Sequence, residues 1–112
     1  MRLFAGLVFA FVTICAPAKA DFFDGELLFD LCTTATIDPL FLQKNATCVG
    51  YIAGVVDAYS HGSGFCLLPT TKTREIYDLT VKYMSDNPRS LSWSASTLIF
   101  AAIKDAFPCN KN

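Results

Sequence analysis

Four cysteines, Cys32, Cys48, Cys66 and Cys109, lie downstream of an apolar leader, and this combination constrains the fold more than any other feature of the chain. Residues 3–16 are almost uninterruptedly apolar, follow a single basic residue, Arg2, and precede Ala18-Lys19-Ala20. Such a run is shorter than the roughly 20 residues that a membrane-crossing helix needs, and small side chains at 18 and 20 suit a signal peptidase. Residues 1–20 therefore read as a secretory signal peptide and residues 21–112 as the mature, exported domain, with no membrane attachment after cleavage. A fifth cysteine, Cys15, leaves with the leader; the bulky Ile14 before it argues against a lipid anchor.

Export puts the four remaining cysteines in an oxidising compartment, where an even number is expected to pair. A domain of this size buries only roughly 60 to 65% of the surface its unfolded chain exposes, so cross-links matter to its stability. With 53% hydrophobic and 17% charged residues, the chain is too apolar for a disordered segment, and 112 residues leave room for one ordinary domain. Loss of Arg2 and Lys19 with the leader leaves seven basic groups against ten acidic ones, a formal charge of −3. Without a cationic cluster there is nothing to neutralise phosphates, which argues against nucleic acid as a partner.

Beyond Asp21 the apolar residues recur at three and four, which predicts an all-α fold of four helices in up-down order. The last and clearest helix carries the stripe Leu91, Ala95, Leu98, Ile99, Ala102, Ile103 and Ala106, with Ser90 as its N-cap and Pro108 beyond its end. A helix from about Thr71 to Met84 carries Ile76, Leu79 and Tyr83 and stops before Asn87-Pro88. Another runs through Cys48, Ile52, Val55 and Tyr59 to Ser60, ended by His61-Gly62-Ser63-Gly64; its start lies either at Asp38-Pro39 or near Asn45 and Thr47. The first helix spans about Asp24 to Cys32 and buries Leu27, Leu28 and Leu31.

Short links alternate the ends of a bundle, and a disulfide needs Cα atoms within about 7 Å. Cys32 and the segment beginning before Cys48 share one end; Cys66 and Cys109 share the other. The expected bonds are Cys32–Cys48 and Cys66–Cys109. On loop entropy they contribute about 3 and 4 kcal/mol as upper values, so the second should matter more.

No residue pattern points to catalysis or to a cofactor. His61 is the single histidine, and a thiol nucleophile beside it would need Cys66 free. A zinc site would need a second histidine or a Cys-x-x-Cys pair. Asp78 and Lys82 are spaced as a solvated ion pair on one helix face. Asp57 suits either a buried hydrogen bond or plain exposure, and Asn45-Ala46-Thr47 matches a glycosylation acceptor that has meaning only in a eukaryote. Gly50 and Gly54 share a helix face where another backbone can come close, either within the chain or in a dimer. The ten phenylalanines, four tyrosines and Trp93 are many for a small core, and Trp93 stands out as a partner contact.

The order of motifs carries further information. Leu31-Cys32 is followed by Cys48-Val49-Gly50-Tyr51-Ile52-Ala53-Gly54-Val55-Val56-Asp57-Ala58-Tyr59, then by Phe65-Cys66-Leu67-Leu68-Pro69, Lys82-Tyr83-Met84, Asn87-Pro88 and Ala106-Phe107-Pro108-Cys109. This resembles the Rap/Tai family of immunity proteins, small periplasmic helical proteins that block peptidoglycan amidases delivered by the type VI secretion system. One departure is the extra leucine between Cys66 and Pro69. The resemblance implies a non-enzymatic inhibitor, commonly a homodimer, that plugs the groove of a cysteine amidase. In this chain the segment Ser85-Asp86-Asn87-Pro88-Arg89-Ser90, stiffened by Pro88 and with Trp93 beside it, is the expected plug, and the loop His61-Gly62-Ser63-Gly64 is the second choice. The rival reading is a small periplasmic stress chaperone that exposes apolar surface to many clients.

Overall fold

The computed structural model describes residues 21–62 and 64–109; the signal peptide expected at residues 1–20 lies outside the described residues. Four helices, α1 (Gly25–Cys32), α2 (Phe41–Tyr59), α3 (Thr73–Asp86) and α4 (Ala95–Ala106), form an all-α domain, and a short 3-10 helix, Pro88–Ser92, joins the last two.

The helix ends follow from local chemistry. Asp24 caps α1, its Oδ1 accepting from the Leu27 amide at 2.8 Å. Ahead of α2, Asp38 Oδ1 accepts from the Leu40 amide at 2.7 Å and its carbonyl accepts from Phe41, so the early start is the one adopted, two residues past Pro39. Lys44 then lies 3.4 Å from Asp38 and 3.8 Å from Asp30, linking α2 to the loop and to α1.

α4 begins later than its apolar stripe suggests. Its cap is Ser94, which accepts from the Thr97 amide, whereas Ser90 and Leu91 belong to the 3-10 helix. Pro88 at the first position of that helix sets its opening backbone angle and offers no N–H to pair. The N-termini of α1 and α4 are clipped together by two backbone hydrogen bonds of 2.9 Å, from Gly25 to the Trp93 carbonyl and from Ala95 to the Phe23 carbonyl.

The core is built from Leu28, Cys32, Cys48, Ile52, Phe65, Ile76, Met84, Ala95, Leu98, Ile99 and Ile103. On α3 the buried row is Ile76, Thr80 and Met84, while Leu79 and Tyr83 flank it. Thr80 is tolerated at full burial because its hydroxyl donates to the Ile76 carbonyl at 2.8 Å. Leu27, expected inside, faces out from α1.

Both expected disulfides are present, Cys32–Cys48 and Cys66–Cys109. Contrary to the end-matching expectation, Cys48 does not stand at an end of α2 but seven residues inside it. α1 crosses the body of α2, so its last residue meets a mid-helix cysteine, and Phe23 before α1 stacks on Tyr51 with ring centroids 4.7 Å apart. The Tyr77 hydroxyl closes the same corner from α3, donating to the Cys32 carbonyl at 2.7 Å.

Candidate functional site

The turn between α3 and α4 presents Asp86, Asn87, Pro88, Arg89 and Trp93 but turns Ser90, also expected in the plug, inward, and the structure explains why it is stiff. Asp86 is the last residue of α3 and pairs with Lys82 one turn back. Asn87 closes the helix twice over, its amide and its side-chain Nδ2 both donating to the Tyr83 carbonyl, at 3.0 and 2.9 Å. The Asn87 carbonyl in turn accepts from the Ser90 amide at 2.9 Å and the Ser90 hydroxyl at 2.6 Å. Ser90 points inward and is buried, whereas Asp86, Asn87, Pro88 and Arg89 are exposed.

From below, the turn rests on α1. A Cβ placed on Gly25 would lie 2.7 Å from both Cα and O of Leu91 and 2.8 Å from Leu98 Cδ1, so only glycine admits this approach. Trp93 follows, 45% exposed, its amide donating to the Ser90 carbonyl at 2.9 Å. It edges an open cleft of about 620 Å³ with Asp21, Ser92, Ser94 and Thr97. Asp86 to Arg89 and Trp93 thus sit on one preformed element of short turns. Such an element offers shape, a directional guanidinium and an indole N–H.

Of the residues that set this geometry, Gly25 and Ser94 are not singled out by the sequence, and Ser90 and Leu91 are read as the start of the last helix. For Ser90 the signal was ambiguous, since a serine before an apolar stripe reads as a cap. Gly25 carried no signal at all, because its neighbour is far along the chain.

The second loop is different. His61 and Gly62 are exposed and Ser63 lies outside the described residues; Gly64 packs on the Phe100 ring and Phe65 is buried beside it. Cys66 is disulfide-bonded to Cys109, so it offers His61 no thiolate. The extra leucine of the Cys66–Pro69 segment, taken as Leu68, projects into solvent, while Leu67 is half-buried. Asp57 is exposed and edges a small hollow of about 120 Å³ with Thr71, Lys72 and Ile76.

Two expectations change. Asp78 does not pair with Lys82: it takes Arg74 Nε at 3.0 Å, and Lys82 goes to Asp86. Asp78 has a cation four residues away on either side, and the Arg74 guanidinium, which also lies 5.8 Å from the Tyr77 ring centroid, claims it. Second, Gly50 and Gly54 make no close contact within the chain, since a Cβ on either would meet nothing within 4 Å. With Ala46 and Ala58, also exposed, they form a smooth stripe along the outer face of α2.

Among the described residues, no helix is long and apolar enough to cross a membrane. The family model for Rap1a immunity proteins matches residues 24–109, and the chain belongs to this family of immunity proteins. The match spans both disulfides and the whole turn from Asp86 to Trp93. No curated protein matches the chain.

Proposed function

We propose that the protein is a periplasmic immunity protein that binds a peptidoglycan amidase delivered by type VI secretion and occludes its active-site groove. The observation that carries this reading is the family match over residues 24–109. The 86–93 turn supports the mechanism. Its inner half is tied down by Asn87, Ser90 and the Gly25 contact, and its outer half presents Pro88 and Arg89, so little conformational entropy is lost when it enters a groove. Inhibition of this kind needs no catalytic group and no cofactor. The apolar run of residues 3–16, read as part of a signal peptide, and the two disulfides support a periplasmic location, and the open face of α2 supports a homodimer as the working unit.

The test is binding and protection together. Alanine replacement at Asn87, Pro88, Arg89 and Trp93 is expected to weaken binding to the cognate amidase at least tenfold and to abolish protection of cells exporting it. Unchanged affinity would rule out this turn as the plug.

A second reading, a small chaperone, is favoured by one observation, the exposed Phe22, Ile37, Leu42 and Leu68. It predicts capture of many unfolded clients, where the immunity reading predicts one folded enzyme.

A further inference from the structure

The two disulfides occupy opposite surroundings. Cys32 and Cys48 are 5% and 0% exposed and belong to the core with Leu28, Ile52 and Met84. Cys66 and Cys109 are both exposed, in segments outside the helices. Thiol–disulfide exchange needs an attacking thiolate to reach a sulfur, so access separates the two bonds chemically.

The structure also shows what the outer bond holds. It ties the segment between α2 and α3 to the chain just past α4. Beside it stand the hydrogen bond from the Cys66 amide to the Phe107 carbonyl at 2.9 Å, the packing of Phe65 on Phe100 with ring centroids 5.8 Å apart, and Leu67 and Phe107 against the edge of the core. The helices themselves are gripped elsewhere, by the inner bond, the Tyr77–Cys32 hydrogen bond and the clip between Gly25 and Trp93.

We propose that Cys66–Cys109 is a site of reversible thiol–disulfide exchange, the substrate of a dithiol reductant of the thioredoxin type, and that its opening loosens residues 66–72 and 107–109 while the helical core stays stapled. One thiolate of the reductant attacks a sulfur of the bond, the S–S bond breaks, and a mixed disulfide forms with one cysteine while the other leaves as a thiolate. The second thiol of the reductant, deprotonated, then displaces the chain. Cys66 and Cys109 end as two thiols, having gained two electrons and two protons, and the reductant ends as a disulfide. This inference is independent of the amidase reading, since it concerns the opposite end of α3 from the plug.

The experiment uses protein purified after export, treated with graded dithiothreitol, quenched with iodoacetamide and mapped by peptide mass spectrometry. Cys66 and Cys109 are expected to be alkylated at least tenfold faster than Cys32 and Cys48. Simultaneous opening of both bonds, or opening of the inner one first, overturns the proposal. Hydrogen exchange on the half-reduced species is expected to rise in residues 66–72 and 107–109 and to stay slow at Leu28, Ile52 and Ile99; a rise across the core overturns the claim that the release is local. A thioredoxin-type enzyme with its resolving cysteine replaced by serine should trap a mixed disulfide on Cys66 or Cys109, and a trap formed at Cys32 or Cys48, or none, would contradict it.

Discussion

Gly25, the first residue of α1, lies directly against the Leu91 backbone, close enough that a methyl group on residue 25 would fall 2.7 Å from Leu91 Cα. The contact couples the start of the first helix to the turn that carries the candidate plug. Because the obstacle is backbone, it cannot swing aside as a side-chain end would. Gly25→Ala should destabilise the domain by about 1–3 kcal/mol, the usual cost of overpacking, or roughly 4–8 °C in Tm per kcal/mol. Thermal unfolding by circular dichroism measures it. A Tm within a degree of the parent would mean that α1 and the turn slide apart freely and that the turn is not fixed from below.

The disulfides should not rank as loop length alone ranks them. Their separations of 16 and 43 residues give upper contributions of about 3 and 4 kcal/mol, favouring the outer bond. Yet Cys32 and Cys48 also pack the core, so replacing both with alanine removes buried sulfur and leaves space behind. C32A/C48A is therefore expected to cost at least as much as C66A/C109A in urea unfolding. An inner variant that loses only about three quarters of what the outer one loses, or less, would show that burial adds nothing to the bond.

How much of this was legible in the sequence depended on how local each determinant is. The α1 cap at Asp24, the end of α2 at Ser60 and the break before Pro88 were readable because each is set by neighbours in sequence. The cysteine pairing emerged correctly although Cys48 was misplaced within α2. The start of α4 was not readable: serines at 90, 92, 94 and 96 all offer a cap, and tertiary clipping of Phe23 to Ala95 selects Ser94. The turn's composition marked it as a candidate site, but its rigidity rests on Gly25 and Ser90, whose roles exist only after folding.

The Asp38 carboxylate gives the loop before α2 a pH dependence. The Leu40 amide holds its pKa below the ordinary 3.8, partial desolvation opposes this, and the Lys44 ammonium adds to the lowering. A lowered folded-state pKa means stabilisation that is present above pH 3.8 and lost as pH falls through the folded value. Asp38→Asn keeps an oxygen that can accept from Leu40 but does not titrate. The variant and the parent should therefore converge in stability as the pH drops below 3.8, the parent being the more stable above it. Parallel curves of unfolding midpoint against pH would assign the acid sensitivity to other carboxylates.

Gly50 and Gly54 lie in the interior of an exposed helix face, where each costs about 1 kcal/mol relative to alanine. Nothing within the chain repays that, because a Cβ at either position meets open space. Gly50→Ala and Gly54→Ala should accordingly raise the Tm of dilute protein, an unusual sign for substitutions inside a matched family motif. If the smooth stripe is where two copies of the chain meet, a large side chain there should separate them while leaving each copy folded. Gly54→Leu is thus expected to sediment as a monomer with an unchanged helical spectrum at concentrations where the parent is a dimer. A parent that is monomeric throughout, or a variant that still dimerises, would remove the second copy from this face and leave the glycines facing solvent or the effector itself.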